Sequence, residues 1–287
     1  MMEERNMNDQ SEKLNIIIPQ WQGGGQDLCT WYGAFALRDN YLKDPEAVTV
    51  NIGSEPLSPE KNHILGYDDI LRDMDKVNAV LKEKNPSRIF TIGGGCDADT
   101  PSAAWLNRKY DGDMAVVYID AHGDLNTPDS SKSMLYYGMS LRTLLSDGDT
   151  GIIGRLASVI QPEQLTMCAG RSLDPEESRY IKDKQISAFS VRMLEQNPEI
   201  VSEEVTRKGF GHVYIHVDFD SLDPREFDLT PVQEPDGLTC HTLLAMIRAL
   251  KNCGAEVVGT GLLEYSGTAD DRDNNLVNSL VTFGKSL

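Results

Sequence analysis

Val116-Val117-Tyr118-Ile119-Asp120-Ala121-His122-Gly123-Asp124 runs from a short apolar, β-branched stretch straight into carboxylates and an imidazole. A strand with one solvated face alternates apolar with polar residues. A run that is apolar throughout describes a strand covered on both faces. The same form returns at Val213-Tyr214-Ile215-His216-Val217-Asp218-Phe219-Asp220. Working outward from these two, candidate strands cover residues 15–19, 88–93, 115–120, 164–169, 212–218 and 256–264.

Amphipathic stretches lie between them. Residues 67–83 place Ile70, Leu71, Met74, Val77 and Leu81 at three-to-four spacing, and residues 239–252 do so with Leu243, Leu244, Ile247 and Leu250. Gly254 follows the second as its expected C′ residue. Apolar strands alternating with helices predict an α/β fold, a three-layer α-β-α sandwich with a mainly parallel sheet. In such sheets ligands bind where loops leave the carboxyl ends of the strands.

Those ends carry the chemistry. Strand alternation puts Asp120 and His122 on one face, and Asp218 and Asp220 likewise. Carboxylates packed together raise one another's pKa and are unstable unless a cation neutralises them. Divalent metals do this with Asp oxygens and a His nitrogen. Turn chemistry alone accounts for Asp223-Pro224 or Pro128, but not for two strands ending in D-x-H-x-D and D-x-D.

Composition sets the bounds. The 287 residues, 40% hydrophobic and 25% charged, fit one packed domain over residues 14–287. Residues 1–13, polar and carrying three glutamates, are expected as a flexible tail and not a secretory signal. No apolar run reaches the roughly 20 residues of a membrane helix, so the expected location is cytoplasmic. A net charge of −18 speaks against nucleic acid as a partner. Five scattered cysteines without a CxxC pair argue against a disulfide framework and against structural zinc. Most are expected to be buried small hydrophobes.

At Asp120-Ala121-His122-Gly123-Asp124-Leu125-Asn126-Thr127-Pro128 and Asp218-Phe219-Asp220-Ser221-Leu222-Asp223-Pro224 the sequence resembles the arginase, or ureohydrolase, family. Thr91-Ile92-Gly93-Gly94-Gly95-Cys96-Asp97 stands where that family carries Gly-Gly-Asp-His-Ser. The likeness implies two divalent ions, manganese in type, at the carboxyl edge of the sheet. Water activated there attacks the guanidino carbon of a small substrate such as arginine, hydroxyarginine or agmatine and releases urea or an analogue. It implies Cys96, Asp120, Asp124 and Asp218 around one ion and Asp120, His122, Asp218 and Asp220 around the other. It further implies Glu264 as partner of the guanidinium, Asn126 and Ser133 for an α-carboxylate, and Asp174 for an α-amino group. Homo-oligomers, trimers or hexamers, are implied as well. Taken by itself, Asp174-Pro175-Glu176-Glu177 is also a helix start, with Asp174 as N-cap and Glu177 at N3.

Three departures bear on activity. Cys96 replaces a ligand histidine, and a thiolate is softer than imidazole. Tyr137 stands where the family has a proton-shuttling histidine; a phenol titrates near 10 and shuttles poorly at neutral pH. Gly95 replaces an aspartate that supports the metal shell. A rival reading is therefore a degenerate relative that binds metal or a guanidino ligand without turnover. Another keeps the fold with a deacylase or phosphoesterase substrate, against which Glu264 and the lack of a basic pocket weigh. Trp21 and His216 are expected to serve packing.

Overall fold

The computed structural model describes residues 13–25, 27–271 and 273–287. The expected tail lies outside the described residues except for Lys13, which already opens the first strand.

The strands are β1 (Lys13–Ile18), β2 (Val48–Thr49), β3 (Arg88–Gly93), β4 (Met114–Ile119), β5 (Leu165–Cys168), β6 (Ser187–Phe189), β7 (His212–Asp218) and β8 (Glu256–Leu263). They form one sheet in the order β2-β1-β3-β8-β7-β4-β5-β6, with each neighbouring pair parallel. The chain passes from β3 over two places to β4, runs outward to β6, and returns to fill the gap with β7 and β8. The four central carboxyl ends, those of β3, β8, β7 and β4, thus lie side by side. The sequence pattern did not reveal β2 and β6, which are two and three residues long and sit at the edges.

The helices are α1 (Cys29–Leu37), α2 (Tyr67–Lys84), α3 (Thr100–Lys109), α4 (Ser140–Leu144), α5 (Thr150–Ile153), α6 (Pro175–Asp183), α7 (Val191–Gln196), α8 (Ile200–Lys208), α9 (Cys240–Lys251) and α10 (Asn275–Lys285). Alternate strand residues go to opposite layers. Ile17, Phe90, Val117 and Ile215 pack with α1, α8, α9 and α10 through Leu37, Val205, Leu243 and Leu280. Ile16, Ile89, Val116 and Tyr214 pack with α2, α3 and α6 through Val77, Leu106 and Tyr180. That double covering is why the strands read as unbroken apolar runs.

Local signals account for several helix ends. Thr239 caps α9 by accepting from the Thr242 amide at 3.1 Å. The C-cap is Asn252, so Gly254, at φ +93°, falls one place beyond C′. Asp174 and Glu177 form the anticipated capping box at the start of α6. The cysteines depart from expectation: all five are free, but only Cys96 and Cys168 are buried, and Cys29, Cys240 and Cys253 are half-buried.

One contact couples the α1 layer to the end of β8. A Cβ added at Gly33 would lie 1.6 Å from the backbone carbonyl oxygen of Tyr265. Neither helix nor strand can yield that far cheaply. Gly33→Ala is expected to destabilise the fold by about 2 kcal/mol or more, read as a lowered urea midpoint at unchanged m value.

Candidate metal centre and substrate cleft

Each central strand delivers part of the site. β3 leads into a 3-10 turn over Cys96–Asp99 that begins with Cys96. Asp120, His122 and Asp124 follow β4, and Asp218 ends β7, with Asp220 in the next 3-10 turn, Phe219–Ser221. Glu264 follows β8 at once. Asp124 and Glu264 both have left-handed backbone, at φ +50° and +59°, a conformation that costs a non-glycine residue of order 1–3 kcal/mol and is found at functional sites.

The six expected metal ligands and Glu264 converge. Cys96, Asp120 and Asp124 present ligand atoms within 4.8 Å of one another, as do Asp120, His122 and Asp220, and also Cys96, Asp218 and Glu264. Cys96 Sγ donates to Asp218 Oδ2 at 3.0 Å, and the Cys96 amide donates to Glu264 Oε1 at 3.1 Å. His122 Nδ1 is 2.8 Å from Asp220 Oδ2, close enough for charge pairing but without hydrogen-bond alignment. Asp120 Oδ2 and Asp124 Oδ1 are buried without a hydrogen-bond partner among the described residues. Buried carboxylate oxygens with nothing to accept from are costly, and a hard or borderline divalent cation is what this oxygen, nitrogen and sulfur set suits.

The titration of these groups follows from the crowding. Burial, then the neighbouring carboxylates, raises Asp124, Asp218 and Asp220 above the usual carboxylate range. Asp120 goes the other way: burial opposes ionisation, but His122 and His216 outweigh it. Burial followed by the charges of Asp124 and Asp218 pushes the Cys96 thiol well up. A bound cation reverses this logic and favours the thiolate. Glu264 is pushed to about 8 by burial and by Asp220.

A cavity of about 450 Å³ opens beside the cluster, lined by His122, Asp124, Asn126, Ser133, Tyr137 and Asp174, among others. A larger groove of about 670 Å³ runs between α9 and α10, but it holds none of the clustered residues. Asn126 Nδ2 donates to Asp174 Oδ2 at 3.0 Å, and Ser133 is exposed at the rim. The Tyr137 phenol, raised to about 12 by burial and by Cys96 and Glu264, stays protonated at neutral pH. Trp21 is buried and donates to the Gly53 carbonyl at 2.9 Å, a packing role as expected.

Supporting residues went unread in the sequence. Tyr118 O–H donates to Asp124 Oδ2 at 2.5 Å. Glu177 accepts from the Leu125 amide at 2.9 Å, which ties α6 to the Asp124 segment. Arg171 donates to the carbonyls of Asp220, Ser221 and Glu234 and so joins the loops after β5 and β7. The Gln20 carbonyl accepts from the Gly95 amide at 2.7 Å and the Gln20 side chain donates to Asp97, bracing the Cys96 turn from both sides. His216 is buried and bonded to Asp99, the packing arrangement expected of it, yet its other nitrogen faces Asp120.

Comparison with known proteins bears on the fold and the family. An arginase from Staphylococcus aureus is 29% identical over 240 residues, covering 80% of this chain and 78% of the relative. The crystal structure of Entamoeba histolytica arginase with L-ornithine superposes with a TM-score of 0.82 at 19% identity, covering 96% of this chain and 97% of that one. Proclavaminate amidino hydrolase from Streptomyces clavuligerus gives 0.67 at 20% identity, over 96% and 89%. Fold and relatives define the class as hydrolases of amidino C–N bonds. The profile of the Arginase family matches residues 34–283, and the chain belongs to that family.

The raised carboxyls set a pH dependence. A group whose pKa is higher folded than unfolded supports the fold at low pH, and this support is lost as pH rises through the folded value. Glu264 moves from 4.5 to about 8 and Asp97, driven by burial, from 3.8 to about 7. For His216 burial lowers the pKa, but Asp99 and Asp120 prevail and bring it from 6.5 to about 10, which gives a loss of the same sign. In excess chelator the melting temperature is therefore expected to fall by roughly 5 °C or more between pH 5 and pH 9. Manganese should flatten that slope in differential scanning calorimetry.

Proposed function

We propose that the chain is a metal-dependent amidinohydrolase for a small linear guanidino compound. The observation that carries this reading is the convergence of Cys96, Asp120, His122, Asp124, Asp218, Asp220 and Glu264 on one sheet edge of an Arginase family fold. The six ligands would hold two divalent ions, manganese in type. Such ions deprotonate water near neutral pH and polarise the bond to be cut.

The chain's own residues do the rest. Glu264, fixed by its left-handed backbone and by the Cys96 amide, accepts N–H bonds from the guanidinium. Asn126 and Ser133 hold the α-carboxylate and Asp174 takes the α-amino group, at the rim of the same cavity. Asp124, kept in place by Tyr118, is the carboxylate nearest to a role in moving the proton of the attacking water. Tyr137 donates one hydrogen bond and orients the leaving nitrogen but does not carry a proton away at neutral pH. Hydroxyarginine, a weaker base than arginine, asks less of a shuttle and is the better substrate. The remainder of the reading is a single domain over residues 14–287, a cytoplasmic location and a homo-oligomer.

A reading without turnover draws on Cys96, Gly95 and Tyr137. Metal analysis after reloading with manganese, with assay of urea and hydroxyurea across a guanidino panel, separates the two. About two ions per chain with turnover of one compound supports the hydrolase; metal uptake with no product from any compound supports the binder. In the active enzyme, Glu264→Gln is expected to lower kcat/KM about 100-fold, from losing charge-assisted bonds of ~2–3 kcal/mol. Tyr137→His is expected to raise arginine turnover relative to hydroxyarginine by roughly tenfold or more. An unchanged ratio would show that Tyr137 does not set the preference.

A further inference from the structure

The ligand set above leaves one buried imidazole unused. His216 lies two residues before Asp218 on β7, pointing to the same face, and is 1% exposed. Its ring stacks on that of Tyr118, its register partner on β4, with centroids 3.7 Å apart and planes 10° apart. Nδ1 is 3.1 Å from both carboxylate oxygens of Asp99. Asp99 is itself anchored by Tyr214 O–H at 2.9 Å, in space that exists because residue 261 is glycine: a Cβ there would lie 2.2 Å from Asp99 Oδ2. Nδ1 is thereby engaged with Asp99, and Nε2 is left facing the carboxylate cluster.

Nε2 has no hydrogen-bond partner among the described residues. Facing it at 3.8 Å is Asp120 Oδ2, which has none either. His216, Asp120 and Asp218 offer ligand atoms within 4.8 Å of one another. We infer that His216 is a further metal ligand, acting alongside Asp120 and Asp218, and that Asp99 is its orienting partner. The inference rests on the metal-dependent reading above.

The separation decides between this and a direct hydrogen bond. An N–H···O bond needs about 2.7–3.2 Å, and 3.8 Å is too long. Two donors each ~2.1 Å from one first-row ion lie up to about 4.2 Å apart, and 3.8 Å falls within that span. A ligand histidine almost always gives its other ring N–H to a carboxylate or carbonyl, as His216 does to Asp99. Any proton on Nε2 in the metal-free chain is displaced when the ion binds. His216 thus returns, from the strand beneath the cluster, an imidazole that Cys96 does not provide.

The test counts imidazoles on the metal. The full chain is loaded with cobalt(II), and proton spectra are recorded in H2O and D2O. A cobalt-bound histidine that keeps its other N–H gives an exchangeable, strongly shifted resonance. Two are expected in the wild type, from His122 and His216, and one remains in either His122→Gln or His216→Gln. Asp99→Asn should keep the His216 resonance but move it, and His216→Gln should weaken cobalt affinity by about tenfold or more. If His216→Gln does not fold, His122→Gln alone decides, since its remaining signal must come from His216. Cobalt uptake with one resonance that vanishes in His122→Gln overturns this inference and leaves the metal reading standing. A wild type that takes up no cobalt overturns both.

Discussion

Negative charge gathered in a dry place is the constraint on which the rest depends. Asp120, Asp124, Asp218, Asp220 and Glu264 stand at neighbouring strand ends and are all at least nine-tenths buried. They cannot all ionise side by side in low dielectric without compensation. The sheet order β3-β8-β7-β4 creates this crowding, because it brings together ends that lie far apart in sequence. Imidazoles answer part of it: His122 lies against Asp120 and Asp220, and His216 lies beneath Asp120. What they leave unanswered is seen in the carboxyls held above their ordinary range.

Around that cluster the fold spends stability on position. Asp124 and Glu264 accept an unfavourable backbone conformation, and Tyr118, Glu177, Gln20 and Arg171 hold the loops that bear the site. Tyr118 reaches out from β4 and Glu177 from α6, whereas Gln20 and Arg171 tie loop to loop. They restrain the donors before anything binds, which is how a site attains working precision. The glycines at 33, 95 and 261 belong to the same scheme, since each leaves room for a neighbouring polar group where a side chain would intrude.

Much of this was legible in the sequence, for physical reasons that can be named. Strands buried on both faces are apolar throughout, so β3, β4, β7 and β8 stood out within a residue or two of their observed ends. D-x-H-x-D and D-x-D mark a site because packed carboxylates have few other uses. The edge strands β2 and β6, two and three residues long, are too short to form a pattern. The support network was hidden for another reason. His216 meets Asp99 across 117 positions and Gln20 meets Asp97 across 77, distances closed only by strand order. Local sequence carries no record of such pairings. The cysteines were misjudged because burial depends on where a loop or helix end comes to rest, and residue type alone does not fix that.

The unequal exposure of the clustered side chains has a consequence for how the centre is filled and emptied. His122, its side chain 21% exposed, is the open member, whereas Cys96, Asp120, Asp124, Asp218 and Asp220 are at most 2% exposed. His122 also lines the cavity proposed for the substrate. On the metal-dependent reading, an ion bound for the interior and a substrate in the cleft would both pass His122, with the Gln20–Gly24 segment packed against the Cys96 turn beside them. An occupied cleft would then cover that approach. The lifetime of an ion held there would depend on what fills the cleft as well as on the bonds inside.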